Sequence, residues 1–88
     1  MFEFDPEKSA ANFDKHGIDF EVAQLLWLDQ KRLEIDARSD PEPRIAIIAK
    51  LGGKHLTAYI TMRGNIIRII SVRRSRAREI EHYDSQND

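Results

Sequence analysis

Eighty-eight residues, 41% of them hydrophobic, supply one core and so one domain over residues 1–88. The chain has no cysteine, which excludes disulfide staples, thiolate metal sites and a cysteine nucleophile. A net charge of −1 excludes a uniformly basic nucleic-acid coat, yet residues 1–42 hold 5 Lys and Arg against 11 Asp and Glu, and residues 43–88 hold 9 against 4. Two such halves either neutralise each other within the fold or offer an acidic and a basic face to different partners.

Phe2 and Phe4 alternate with Glu3 and Asp5, a short strand signal. No apolar run reaches the ~18 residues of a membrane span, and the acidic N-terminus lacks a leader pattern, so a cytoplasmic protein without membrane association is expected. Asp5-Pro6-Glu7 predicts a helix start, with Asp5 as cap and Pro6 at the first helical position. The helix should end near His16, with Gly17 in a left-handed conformation, and Ala10, Ala11 and Phe13 are its expected apolar contribution. Asp19 repeats the capping logic for residues 20–28, whose apolar positions cover most of a helix circumference. A second, largely buried helix is predicted there, with Phe20 and Trp27 two turns apart on one side.

Leu33 and Ile35 alternate with charges, which predicts a short strand, and residues 37–44 (ARSDPEPR) read as an exposed loop. Residues 45–51 and 56–62 flank Gly52-Gly53 as a hairpin. Leu56, Ala58, Ile60 and Met62 share one face of its second strand, and Thr57, Tyr59, Thr61 and Arg63 the other. Gly64-Asn65 makes the next turn before a strand over residues 66–72. Strict alternation puts Ile66, Ile70 and Val72 on one side and Ile67 and Ile69 on the other, the pattern of a central strand covered on both faces. Ala77, Ile80 and Tyr83 then mark a C-terminal helix, and the last residues, DSQND, should fray. The fold class is α+β: a mostly antiparallel sheet with two N-terminal helices and one C-terminal helix.

Chemistry concentrates in residues 66–78, IIRIISVRRSRAR, where a strand runs into Arg73, Arg74, Arg76 and Arg78. Guanidinium forks gathered at a strand-to-helix junction suit phosphate. The order DPEK, Asn12, KHGIDFEVA (15–23), TMRGN (61–65) and RIISVRRSRAREIEHY (68–83) resembles the BrnT family of bacterial toxins over nearly the whole chain. The chain departs from the family pattern at Val72, where a small residue is common, and in lacking a tryptophan just before Asp5.

The resemblance implies a RelE-like fold and a ribonuclease that halts translation. It also implies a BrnA-type antitoxin with a ribbon-helix-helix DNA-binding domain, through which alone the toxin would meet operator DNA. No cofactor is implied. Metal-free RNA cleavage uses the ribose 2′-hydroxyl against the adjacent phosphorus, so it needs a base, an acid and cations around the phosphoryl oxygens. Acidic residues and His16, His55 and His82 are scattered, and no compact set of metal ligands is apparent.

The catalytic candidates are Lys15, His16, Arg63 and Arg73, with Arg68, Ser71, Arg74, Arg78 and Tyr83 as candidates for holding RNA. Each has a plainer reading. Lys15 and His16 favour a helix C-terminus through the macrodipole. Arg63 and Arg73, the proposed clamp on the scissile phosphate, can instead pair with the acidic half. Alternation sets Arg68 opposite Arg73, so without a bulge both cannot serve one phosphate, and Arg68 is left to a carboxylate under the terminal helix. Arg74, Arg76 and Arg78 can form a solvated helix face. Tyr83 can stack a base, donate a proton or pack in the core, and Tyr59 has a similar ambiguity. At the level of the whole chain, the alternatives are a non-catalytic module that binds RNA or a partner, and a decayed toxin that still binds its antitoxin.

Overall fold

The computed structural model describes residues 1–37 and 42–87. Five strands, β1 (Phe2–Glu3), β2 (Leu33–Ala37), β3 (Arg44–Leu51), β4 (Lys54–Arg63) and β5 (Ile66–Arg74), form one sheet in the order β1-β5-β4-β3-β2. Three helices accompany it: α1 (Pro6–His16), the short α2 (Phe20–Ala23), and α3 (Ala77–Gln86). The fold is α+β, but the sheet is mixed rather than mostly antiparallel, because β1 runs parallel to β5 while the other pairs are antiparallel. Part of the expected loop, residues 38–41, lies outside the described residues, as does Asp88. No helix among the described residues is long and apolar enough to cross a membrane.

Local chemistry sets the element ends as the sequence predicts. The Asp5 carboxylate accepts from the Glu7 N–H at 2.9 Å, and the N–H of Gly17, at φ 74°, donates to the Phe13 carbonyl at 2.7 Å. Asp19 caps α2 by accepting from the Val22 N–H at 2.8 Å. Gly52 and Gly53 both have positive φ, as a two-residue hairpin turn whose twist matches its strands requires.

The helices depart from expectation. The second predicted helix is split: after the four residues of α2, residues Gln24–Leu28 wind as a 3₁₀ helix. At three residues per turn, positions three apart stack in line. Phe20, Ala23 and Leu26 face the core, whereas Val22, Leu25 and Leu28 face solvent at 41%, 44% and 77% exposure. The segment is therefore half-exposed rather than largely buried. On α1 the buried residues are Ser9 and Asn12, while Ala10, Ala11 and Phe13 are exposed. Ser9 Oγ accepts from the Phe20 N–H, and Asn12 bonds the N–H and carbonyl of Val72 and the carbonyl of Ile18. Beside β5 the two-residue β1 reaches only Ile67 and Arg68. Asn12 thus satisfies backbone groups on an edge that no strand covers.

Phe20, Ala23 and Leu26 pack with Ile47, Ala49, Ala58, Ile60, Ile69 and Val72 on one sheet face. Helix α3 covers part of the opposite face, held by Tyr83, whose hydroxyl donates to Asp29 at 2.6 Å. Of the five residues expected to fray, Asp84, Ser85 and Gln86 stay in α3. Asp84 meets His55 at 3.1 Å, and the Asn87 side chain bonds the carbonyls of Tyr83 and Lys31.

Candidate functional site

The registers of β4 and β5 decide which candidates share a face. Thr57 pairs with Arg73 and Tyr59 with Ser71, but Ile60 pairs with Ile69 and Thr61 with Arg68. One residue, Ile70, is left without a partner, as in a β-bulge. The bulge shifts the alternation, so that Ile67, Ile69 and Val72 lie with the core residues of β4, and Arg68, Ser71 and Arg73 join Thr57, Tyr59 and Thr61 on the other face. Strict alternation had separated Arg68 from Arg73; the bulge reunites them.

Arg73 is the most heavily bonded side chain of this face. Its guanidinium meets Glu79 of α3 end-on, Nη1 to Oε1 at 2.8 Å and Nη2 to Oε2 at 2.9 Å. Nη2 also donates to the Tyr59 hydroxyl at 2.9 Å, and Nη1 to the Arg74 carbonyl at 3.1 Å. Four of its five N–H groups are engaged in this way, and Nε is the fifth. The bonds to Glu79 hold the guanidinium pKa above its usual value. In return Arg73, aided by the Arg76 N–H and the Thr57 hydroxyl, outweighs burial and holds the Glu79 carboxyl well below its usual range, at about 2. Thr57 also bonds Ser75 at 2.8 Å, so strand, junction and helix are tied at one point.

Arg68 pairs with Glu3 of β1 at 2.9 Å, not with a carboxylate under α3. That pair is more open, at 28% and 33% exposure, than the 17% and 21% of Arg73 and Glu79. Ser71 lies between the two arginines, half-buried. Arg74, Arg76 and Arg78 are exposed around the junction.

Other candidates stand apart. Arg63 is exposed at the far end of β4, six residues from Thr57. At about 3.4 Å per residue that is roughly 20 Å from the Arg73 level, so the structure does not bring the two together on one phosphate. Lys15 and His16 are exposed on the last turn of α1, one turn past Asn12 and so near the Val72 level of β5. Tyr83 is buried at 4% exposure, and burial with its bond to Asp29 pushes the phenol up to about 12. Burial pushes the Asp29 carboxyl up as well, but Tyr83 and the N–H groups of Lys50 and Lys31 together hold it below the usual range. Tyr83 therefore ties α3 to the body of the domain.

Glu79 is the residue that sequence reading overlooks, though it carried a signal. It stands three residues after Arg76, where a capping carboxylate reaches back to the N-cap N–H, and it does so at 2.8 Å. The face as a whole offers cations, hydroxyls and one half-buried phenol to a bound anion.

Comparison with protein families gives one match: the model described as ribonuclease toxin, BrnT, of type II toxin–antitoxin system covers residues 4–79. Comparison with curated proteins gives no match.

Proposed function

The chain belongs to the BrnT family of type II ribonuclease toxins, and on that premise we propose that it is an endoribonuclease acting through the sheet face that carries Arg68, Tyr59, Ser71 and Arg73. Type II membership implies a protein antitoxin. The proposal extends, as the resemblance implies, to a RelE-like fold, a BrnA-type ribbon-helix-helix antitoxin, inhibition of translation and action in the cytoplasm.

In the proposed reaction the ribose 2′-oxygen attacks the adjacent phosphorus and the bond to the 5′-oxygen breaks. A base takes the 2′-proton and an acid returns a proton to the leaving oxygen, giving a 2′,3′-cyclic phosphate and a 5′-hydroxyl. Without a metal, charge on the phosphoryl oxygens falls to side chains. Arg68 and Arg73 take that role, with Ser71 as a further donor and Glu79 holding Arg73 in place. Tyr59, in contact with Arg73, is the nearest proton carrier. Lys15 or His16 supplies the other from the α1 edge of β5. Arg74 and Arg78 follow the RNA backbone, and Arg63 meets it farther along.

The observation that carries this reading is the bulge at Ile70, which sets two arginines, a serine and a tyrosine on one face. The test is incubation of the purified chain with RNA and with the same RNA carrying 2′-deoxyribose. Cleavage with cyclic phosphate ends in the first, and none in the second, is expected. Arg68→Ala and Tyr59→Phe should each lower cleavage by about 10²-fold or more, on the order of 3 kcal/mol of transition-state stabilisation, with the fold retained by circular dichroism. Full activity in both folded variants removes this face from the reaction.

One observation favours a second reading. Glu79 and Tyr59 already take most of the donors of Arg73, as in a structural arginine. A non-catalytic RNA-binding module would bind RNA with strong salt dependence and yield no cleavage products.

A further inference from the structure

We infer that the acidic N-terminal third carries a second functional surface, a docking site for a basic amphipathic helix of the protein antitoxin, separate from the arginine face. The existence of that partner rests on the type II reading; the surface is argued from the fold. Val22, Leu25 and Leu28 form an exposed apolar stripe at three-residue spacing, and the core is already filled by Phe20, Ala23 and Leu26. Beside Val22, Glu21 borders a shallow groove of about 380 Å³ lined by Phe4, Ala10, Phe13, Asp14 and Asp19. Phe13 is 54% exposed there, because α1 turns Ser9 and Asn12 inward. Apolar side chains exposed together and rimmed by polar groups mark interaction surfaces.

The rim identifies the partner. Residues 1–29 carry seven Asp and Glu against two Lys. Among the described residues only the Glu3–Arg68 pair joins them to a cation of the basic half. Asp14, Asp19 and Glu21 thus leave a negative border on the groove of Phe4, Ala10 and Phe13. That border repels RNA phosphate and repels a second copy of itself, and it attracts a helix with apolar residues on one side and Lys or Arg beside them. A second copy docking here by its arginine face would be head-to-tail and would grow into open chains rather than a closed dimer.

The first test uses a synthetic amphipathic helix of Leu and Lys, with a Leu/Glu peptide as control, followed through the amide resonances of the chain. The Leu/Lys peptide should shift residues 10–28, and Leu25→Asp or Phe13→Asp should weaken it about tenfold or more. Shifts confined to the arginine face, or equal binding of the Leu/Glu peptide, overturn the inference. The second test is in cells, where toxin carrying Val22→Asp and Leu25→Asp should still arrest growth but escape the antitoxin encoded beside it. Neutralisation equal to that of the parent overturns the inference. If the parent itself fails to arrest growth, the toxin reading fails, and the peptide map still decides the surface. Concentration-dependent assembly abolished by Leu25→Asp would assign the patch to a second copy instead, and overturn the inference too.

Discussion

Glu79→Gln isolates the charge that holds Arg73. The native carboxyl falls from 4.5 to about 2, chiefly through its bonds from Arg73. At about 1.4 kcal/mol per pH unit, this corresponds to ~3 kcal/mol of folding stability. Both side chains are under a quarter exposed, so solvent screening trims the figure only to about 2–3 kcal/mol. Because the folded pKa is depressed, the stabilisation is complete above pH 4.5 and is lost as pH falls toward about 2. The glutamine keeps the shape without the charge, so it should lose about 2–3 kcal/mol at neutral pH and then keep only the acid dependence of the other carboxylates, Asp29 among them. Urea unfolding followed by Trp27 fluorescence, from neutral pH down to about pH 2, should show the two stability curves converging on the acid side. A gap of constant size across that range would mean that the Arg73–Glu79 charge interaction does not stabilise the fold.

Asn12→Ala removes three bonds and strands the N–H and carbonyl of Val72, and thermal melts should place the loss at about 2–3 kcal/mol. A neutral result would mean that water serves that edge as well as the side chain does. Tyr83 has its pKa raised from 10.0 to about 12, so its contribution is intact below pH 10 and disappears as pH climbs to about 12. Tyr83→Phe should abolish that alkaline limb in urea titrations while losing about 1 kcal/mol at neutral pH, and an unchanged limb would exonerate the phenol. His16 is exposed on α1, so His16→Ala should alter stability by less than about 0.5 kcal/mol yet lower RNA cleavage by about 10²-fold. Unaltered cleavage would restrict the reaction to the β4–β5 face.

What was legible in the sequence was local. The caps at Asp5 and Asp19, the left-handed Gly17 and the Gly52-Gly53 turn depend on one or two residues with special geometry, and they announce themselves. Long-range pairings did not. β1 is only two residues long and owes its parallel partner to the path of α1. The bulge was hidden because four of the five residues from Ile66 to Ile70 are isoleucine, so a period of two has no polar face to fix its phase. The same blindness separated Arg68 from Arg73, whereas Arg63 and Arg73 stand roughly 20 Å apart because they sit at opposite ends of the β4–β5 ladder. On α1 the error had a different source: Ser9 and Asn12 are buried for their hydrogen bonds, and an apolar stripe is the wrong signal for such a face. In residues 20–28 the apolar positions did encode the outcome, as two stripes of period three, but a helical period of 3.6 merges them into one.

The charge division of the chain gains a definite meaning from the ion pairs. Arg32–Glu34 lies within the acidic half and Arg73–Glu79 within the basic half, where His55 also meets Asp84; among the described residues only Arg68–Glu3 crosses. The halves therefore do not chiefly neutralise each other through ion pairs. On the basic face the two arginine pairs differ in how readily they yield. Arg68 and Glu3 are about a third exposed, and pairs of that kind are worth about 0–1 kcal/mol, so under the proposed function an arriving phosphate would displace Glu3 at little cost. Arg73 has four N–H groups engaged and a carboxylate that remains charged far below neutral pH, so under the same proposal it would keep Glu79 and act through its remaining donor and its fixed charge. RNA would then enter by way of Arg68 and the exposed Arg74 and Arg78. Arg73 would already stand in place when the phosphate arrives, without reorganising at the moment of reaction.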